Sequence, residues 1–131
     1  MLSFRLDERS GVPTYLQLVE QVRSAVRYGV LRPGDQLPTA REVVAKLAIN
    51  PNTVLKAYRE LERADLVKSF PGRGTFVTDD APRPIARNVQ EPLRRSLRRW
   101  MAEARRAGLD RESITSLFAL TLADGSKEDI A

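Results

Sequence analysis

The chain has 131 residues, a net charge of +5 and a pI near 10.1, and this basic balance favours a polyanionic partner. It contains neither Cys nor His, which excludes disulfides and the commonest metal ligands and catalytic base, so we expect no metal, no cofactor and no enzyme. No apolar run approaches the ~20 residues of a membrane span and no signal-peptide segment opens the chain, so we expect a cytoplasmic protein with no membrane partner.

The first predicted helix follows an extended N-terminal arm. Thr14 is expected to cap this helix and Gln17 to complete a capping box. Apolar residues at helical spacing continue the helix to about Tyr28, and Gly29 fits the left-handed position just past its end. Residues 32–35 contain Pro and Gly in the order that predicts a tight turn.

Two further helix starts follow in quick succession. Thr39 and Glu42 form a second capping box, which opens a short helix. Asn50 is a good N-cap and Pro51 suits the first position of a third helix, here taken as 50–63. The core face of the third helix is predicted to consist of Val54, Ala57, Tyr58 and Leu61. Two helices joined by a short turn form a helix-turn-helix.

Two short runs rich in strand formers come next, at 66–70 and 75–78. The Pro-Gly-Arg-Gly sequence between them predicts a β-hairpin with Arg73 at its tip, and the tip region at 70–75 is the predicted wing. The fold class is therefore mainly α with a small β-hairpin, a winged helix-turn-helix over residues 1–79. Residues 80–86 contain two prolines and are predicted to form a semi-stiff linker.

Residues 87–131 are predicted to form a two-helix dimerisation segment. Its first helix ends at Gly108, Asp110 can cap the second, and the polar tail from Asp124 is expected to fray. Apolar residues at helical spacing are assigned to a homodimer seam: Leu93, Leu97, Trp100, Met101, Ile114, Leu117 and Phe118. Four arginines lie off that stripe and form either a solvated face or a second nucleic-acid surface: Arg94, Arg95, Arg98 and Arg99.

The third helix carries side chains that suit DNA bases at its N-terminal end, the part that leads into a major groove. Asn can pair with adenine, Thr can contact a base or a thymine methyl group, and Lys suits guanine or phosphate. The predicted base-reading residues are Asn50, Asn52, Thr53 and Lys56. The alternative for Asn50 is that it serves only as a cap.

A second set of residues is predicted to contact the DNA backbone or minor groove. Arg41, with Thr39 as a helper, lies where unbonded backbone amides already favour a phosphate. Arg73 can enter a narrow minor groove, and Gly72 allows the tight turn and a close approach. The alternatives are a surface salt bridge from Arg41 to Glu42 or Asp35, and a solvated loop position for Arg73.

The chain resembles the GntR family of bacterial transcription regulators, and within it the YtrA subfamily. The resemblance covers about residues 11–78 and rests on these motifs: Pro33-Gly-Asp-Gln-Leu-Pro-Thr-Ala-Arg41, Asn50-Pro-Asn-Thr-Val54, Lys56-Ala-Tyr58 and Gly72-Arg-Gly-Thr-Phe-Val77. It implies a winged helix that binds DNA as a homodimer, followed by a short helical dimerisation segment. By position it carries DNA contacts over to Arg41, Asn50, Asn52, Thr53 and Gly72.

Two positions depart from the family pattern. Many relatives place Arg at the position of Leu55, so a base contact there is not expected and Lys56 is the substitute. Asp65 stands where a helix-ending Gly is common.

We therefore expect a homodimeric, sequence-specific transcription regulator of double-stranded DNA, more often a repressor in this subfamily. Two-fold symmetry predicts a palindromic operator with half-sites about 34–36 Å apart, or a multiple of that. Two alternatives stay open. One is a regulator gated by a small molecule bound between the C-terminal helices, and the other is an architectural protein that binds DNA without reading it.

Overall fold

A computed structural model describes residues 2–130, with side chains to residue 125. The chain forms two compact units, Met1–Ala86 and Arg87–Ala131. The fold is the predicted one, mainly α with a small hairpin. Its elements in order are α1 (Thr14–Arg27), α2 (Ala40–Leu47), α3 (Pro51–Arg63), β1 (Val67–Phe70), β2 (Gly74–Val77), α4 (Arg87–Arg106) and α5 (Arg111–Ile130).

The core of the first unit forms where α1, α2 and α3 bury their apolar faces against one another. All four residues of the predicted α3 core face are buried, and Val54, Ala57 and Leu61 are completely inaccessible. Their partners on α1 include Leu18 and Val22, which are equally inaccessible. Because a fully buried aliphatic side chain contributes about 1.5–3 kcal/mol, this layer is the main source of stability for the unit.

The predicted capping box at the start of α1 is wrong. Pro13 holds the N-cap position and makes no side-chain capping bond, while Thr14 is already inside the helix. The Gln17 side chain turns to the N-terminal arm, where its Oε1 accepts the Asp7 amide at 2.8 Å and its Nε2 donates to the Val12 carbonyl at 2.9 Å. Because these backbone groups occupy the Gln17 amide, it ties down the arm and does not cap the helix.

The helix ends of the first unit explain one departure from the family pattern. Asp65 follows α3 with φ +60°, in the left-handed region that favours Gly but that Asp also tolerates. The Asp65 amide donates to the Glu62 carbonyl and the Leu66 amide to the Leu61 carbonyl, both at 3.0 Å. These bonds are the Schellman pattern, which satisfies carbonyls left open at a helix end. Asp65 thus performs the role expected of Gly.

The hairpin pairs β1 with β2 in an antiparallel register, from Val67 opposite Val77 to Phe70 opposite Gly74. Its turn closes where the Arg73 amide donates to the Phe70 carbonyl at 2.9 Å, and Gly72 supplies the positive φ of +75° that such a turn needs. The other edge of β2 is covered by residues 34–37, which pair with it through backbone hydrogen bonds of 2.8–2.9 Å. This third strand-like segment was not predicted from the sequence.

The residues assigned to the linker, 80–86, lie against α1. The Ile85 amide donates to the Arg27 carbonyl at 2.9 Å, Ala81 packs on the core, and Pro84 lies beside Gly29. Gly29 has φ +76°, as its position just past the helix end predicts. The segment is therefore docked on the first unit up to the point where α4 begins.

In the second unit, the two features predicted for the turn between α4 and α5 are present, whereas the end of α5 differs from the prediction. Gly108 ends α4 with φ +96°, and the Asp110 Oδ1 accepts the Ser113 amide at 2.9 Å as an N-cap. This hydrogen bonding to Ser113 lowers the pKa of the Asp110 carboxyl. The backbone of α5 remains helical to Ile130, so the fraying expected from Asp124 is wrong.

The turn between α2 and α3 contains a non-glycine residue in the left-handed region, Ala48 with φ +54°. That conformation costs an L-residue about 1–2 kcal/mol, whereas the greater entropy of Gly in the unfolded chain costs about 0.5–1 kcal/mol. We therefore predict that Ala48→Gly raises the free energy of unfolding by roughly 0.5–1 kcal/mol, measured by urea denaturation.

A matched control for this substitution is Ala45→Gly, at an exposed position inside α2. There a helix interior disfavours Gly, so stability should fall by about 1 kcal/mol. A loss of stability in both variants would contradict the strain assigned to Ala48.

Candidate DNA interface

The exposed face of α3 is set by the face that it buries. Residues on an α-helix lie about 100° apart, so burial of the core face turns the opposite stripe to solvent. That stripe contains Asn52, Leu55, Lys56 and Arg59, at intervals of three and four residues, and all four are exposed. Leu55 and Arg59 were not among the predicted DNA contacts, although the helical period counted from Asn52 identifies both.

Asn50 and Asn52 play different parts at the start of α3. The Asn50 Oδ1 accepts the backbone amide of Asn52 at 2.8 Å, which confirms Asn50 as the N-cap. A bidentate pair with adenine uses both the oxygen and the nitrogen of a side-chain amide. The cap engages the oxygen of Asn50, whereas the Asn52 side chain is exposed. Thr53 is half-buried beside it.

Lys56 has a partner that the sequence did not predict. Its Nζ lies 4.0 Å from the centre of the Tyr15 ring, which is on α1. A cation held over an aromatic face is stabilised by about 0.5–1 kcal/mol at exposed sites. The ring keeps the ammonium group of Lys56 next to the first turn of α1 without neutralising its charge.

The start of α2 confirms one prediction and removes an alternative. The Thr39 Oγ1 accepts the Glu42 amide at 3.1 Å and donates to the Glu42 carboxylate at 3.0 Å, so Thr39 is the N-cap. Arg41 is exposed. In the described part of the chain the ion pair present is Arg63–Glu60, at 2.9 Å. The salt bridge considered for Arg41 is therefore not formed, and Arg41 lies in the first turn of α2.

Two basic side chains of the wing lie beside an aromatic ring. The Arg73 guanidinium lies 5.7 Å from the Phe70 ring and the Lys68 ammonium lies 5.6 Å from it. Phe70 packs edge-on against Phe76, with ring centres 6.0 Å apart. Lys68 was not predicted as part of the interface, because the alternating pattern of a four-residue strand is too short to show on which face Lys68 lies.

Two side-chain hydrogen bonds hold the wing, one from α3 and one from the segment that precedes α2. The Glu62 carboxylate, on α3, accepts the Ser69 amide of β1 at 2.7 Å. The Gln36 Nε2 donates to the Arg73 carbonyl at 3.4 Å, and a Cβ on Gly74 would collide with that Gln36 side chain. These contacts hold the wing and α3 in one arrangement within the first unit.

Two other kinds of site are absent from the part of the chain described. Residues 2–125 hold no cluster of carboxylates that could bind a metal ion. None of the helices with described residues combines the length and apolarity needed to cross a membrane.

The comparisons with known proteins agree with this geometry. The bacterial regulatory proteins, gntR family, match residues 14–77. The chain is also 33% identical over 128 residues to the HTH-type transcriptional repressor YtrA of Bacillus subtilis (strain 168), covering 95% of this chain and 98% of that relative. The chain belongs to the GntR family.

Solved structures extend the likeness to the fold. This GntR-family chain matches a transcriptional antiterminator from Listeria monocytogenes EGD-e with a TM-score of 0.59 and 30% identity, over 98% of this chain and 92% of that one. It also matches the DNA-binding domain of AraR in complex with the operator ORR3, with a TM-score of 0.50 and 28% identity, over 59% of this chain and 93% of that one. The relatives are named as transcription regulators, and the predicted winged helix is confirmed.

The seven residues predicted for the dimer seam all lie on α4 and α5, and none of them is buried within the single chain. Leu93 is 66% exposed and Phe118 is 48% exposed. Trp100, Met101 and Ile114 are partly covered. The seam itself stays a prediction.

Tyr58 fastens α3 to the segment that precedes α2. Its hydroxyl donates to the Pro38 carbonyl at 2.5 Å, next to the N-cap Thr39. Burial, reinforced by the nearby Glu42 carboxylate, raises the pKa of Tyr58 well above its ordinary value of 10.0. Because the folded state holds the proton more tightly than the unfolded state, stability is retained below pH 10 and declines as the pH rises above it.

We predict that Tyr58→Phe lowers the free energy of unfolding by about 1 kcal/mol at neutral pH, since it leaves the Pro38 carbonyl without its partner. The variant should also lose stability less steeply than the parent above about pH 10, by up to 1.4 kcal/mol per pH unit. Urea denaturation between pH 8 and about pH 11 measures both effects. Parallel pH profiles for the two proteins would contradict the assignment of the proton to Tyr58.

Proposed function

We propose that this chain is a homodimeric, sequence-specific DNA-binding transcription repressor that acts on a palindromic operator. The observation that carries the proposal is the exposed polar stripe of α3, whose N-terminal end is capped by Asn50 and open to solvent. A helix presented in this way fits the major groove with its first turns against the base edges. A chromosomal target places the protein in the cytoplasm.

The side chains divide into base readers and backbone contacts. Asn52 has the amide needed for adenine, and Thr53 and Lys56 flank it. No base contact was expected at Leu55 from the sequence, but Leu55 is 40% exposed on the same stripe, so we propose that its apolar surface meets a thymine methyl group. Asn50 supports this end of the helix as its cap.

The proposed contacts to the DNA backbone lie outside α3, on α2 and on the wing. Thr39 and Arg41 place a phosphate at the amino end of α2, where the helix dipole and a free guanidinium act together. Arg73, carried by the turn that Gly72 permits, enters the adjacent minor groove. The likeness to AraR, whose DNA-binding domain was solved with operator DNA, supports the same docking.

The homodimer supplies the symmetry of the operator. The apolar stripes of α4 and α5 remain exposed in the single chain, and an exposed apolar surface of this extent marks an interaction site. A two-fold pair would place two copies of α3 in half-sites about 34–36 Å apart, or a multiple of that. Occupation of such a site within a promoter represses transcription, as the name of the relative YtrA indicates for that protein.

Base reading is tested by Asn52→Ala. Selection from a random DNA pool first defines the operator, and binding of parent and variant is then compared at fixed salt. We expect the variant to lose about 1–3 kcal/mol on the operator and little on random DNA, because a base contact is removed. Equal losses on both duplexes would contradict base reading by Asn52.

The matched comparison is Arg41→Ala. A lost phosphate contact should weaken the operator and random DNA alike and reduce the slope of log affinity against log salt by about 1. An operator-to-random ratio near one for the parent protein would instead indicate an architectural protein.

The dimer is tested by Leu93→Glu on α4. Buried in the seam, the carboxylate should weaken self-association at least tenfold, or about 1.4 kcal/mol, and reduce binding to the full palindrome. Leu120→Glu is the control, since Leu120 lies off the predicted seam of α5 yet is equally exposed, at 65% against 66% for Leu93. Light scattering measures the mass of each. If the two variants had the same mass in solution, Leu93 would not belong to the dimer interface.

A further inference from the structure

The helix α4 has two faces of opposite character. Its 20 residues contain seven arginines, two glutamates and no lysine. At about 100° per residue, Val89, Leu93, Leu97, Trp100 and Ala104 fall on one side of the helix. The arginines occupy the opposite side. We call them the arginine face, and they are Arg87, Arg94, Arg95, Arg98, Arg99, Arg105 and Arg106.

The arginine face is exposed and carries a large excess of positive charge, since Glu91 is the one acid among its seven arginines. All seven side chains are exposed, and within the described part of the chain none forms an ion pair with a carboxylate. The pairs Arg94–Arg98 and Arg95–Arg99 are four residues apart, so like charges face each other on the helix surface. Each such pair destabilises a helix by about 0.2–0.5 kcal/mol, a cost that a bound polyanion removes.

The composition of the face favours phosphate over other anions. Arg has a planar guanidinium that contacts phosphate with two parallel hydrogen bonds and stays charged at every physiological pH, whereas Lys is a flexible point charge. A merely soluble helix surface would mix Lys with Arg. Here every one of the seven cations of α4 is arginine, against two glutamates. The face extends over 20 residues, about 30 Å, which suits a linear polyphosphate such as a nucleic-acid strand.

The covalent connection between the first unit and α4 favours DNA over other polyanions. The face begins at Arg87, directly after the compact unit that ends at Ala86. When the first unit is bound to an operator, short tethering gives the neighbouring DNA an effective concentration in the millimolar range. Contacts too weak to act alone are then populated. An anionic membrane or an acidic protein has no such advantage.

We propose that the arginine face of α4 binds the phosphodiester backbone of DNA that flanks the operator, as a sequence-independent second contact. This inference rests on the proposed function, since it requires the first unit to bring DNA to the helix. The apolar side of α4 remains available for the dimer, because the two faces lie on opposite sides of the helix. The flanking contact therefore adds affinity and salt dependence without adding base specificity.

The test compares two duplexes and three proteins. One duplex contains the selected operator alone, and the other extends it by two helical turns of arbitrary sequence on each side. The proteins are the parent chain, the quadruple variant R94Q/R95Q/R98Q/R99Q, and the charge-preserving variant R94K/R95K/R98K/R99K. Gln is a good helix former, so α4 should be preserved. Circular dichroism and light scattering check fold and mass.

The parent should bind the long duplex about tenfold more tightly than the short one at low salt. Its slope of log affinity against log salt concentration should be steeper on the long duplex by about 0.9 for each additional phosphate contacted. The Gln variant should lose that gain while its affinity for the short duplex and its operator-to-random ratio stay unchanged. The Lys variant should keep most of the gain. If the Gln variant does not fold, the double variant R95Q/R99Q gives the same comparison.

Three results would overturn the proposal. They are an equal affinity of the parent for both duplexes, an undiminished gain in the Gln variants, and tighter binding of the parent to phosphatidylserine vesicles than to the long duplex, which would indicate a membrane surface. A parent that selects an operator but gains nothing from flanking DNA contradicts this inference alone. A parent that selects no sequence contradicts the proposed function.

Discussion

The rotation of α3 about its own axis is the constraint on which the interface depends. Val54, Ala57 and Leu61 are inaccessible in the core, and Tyr58 lies beside them. Turning the helix by one residue would move part of this face into water, at about 1.5–3 kcal/mol for each large side chain exposed. The outward stripe from Asn52 to Arg59 therefore needs no contacts of its own to be held in place. The core determines which side chains a DNA groove would meet.

The same helix positions the other parts of the surface. Tyr58 reaches the carbonyl of Pro38, which precedes the N-cap of α2, and Glu62 reaches the amide of Ser69 in β1. Tyr58 is buried and Glu62 is exposed, and both side chains bind backbone groups. The amino end of α2, the exposed stripe of α3 and the wing tip are consequently fixed against one helix. A rigid scaffold of this kind suits recognition that depends on a fixed spacing of contacts.

Local chemistry made much of the first unit predictable from the sequence. The caps at Thr39 and Asn50, the turn containing Gly72 and the core face of α3 each depend on residues within a few positions of one another. The features that were missed depend on distant partners. Gln17 binds the N-terminal arm, Lys56 meets a ring on α1, and residues 34–37 pair with the far edge of β2. No local pattern encodes such pairings, because they exist only once the chain has folded.

The position of Asp65 shows the limit of reading residue types without backbone angles. A family preference for Gly marked the site, but only the φ of +60° explains why Asp is accepted there. The candidate site shows a related limit. Asn50 and Asn52 suit DNA equally by residue type, and only the hydrogen bond from the Asn52 amide to the Asn50 side chain shows which of the two is the N-cap.

The chemistry of the two units suggests how affinity and specificity are divided in this protein. The first unit has a net charge of +3, from 13 basic and 10 acidic residues up to residue 86, and it offers a few polar and basic groups in fixed positions. Polar groups in fixed positions can discriminate between bases, and basic groups in fixed positions can set the register on the duplex. The seven arginines of α4 have the opposite character. They concentrate positive charge that attracts phosphates without distinguishing one base from another. Since phosphate contacts provide most non-specific binding and speed the search along DNA, a second set of them outside the reading surface can be adjusted without changing base recognition.

Pro92 inside α4 has no amide to donate, so that helix gives up a backbone bond within the basic segment. The segment thus carries both a missing hydrogen bond and unpaired charge, and burial of its apolar stripe in a dimer would offset both.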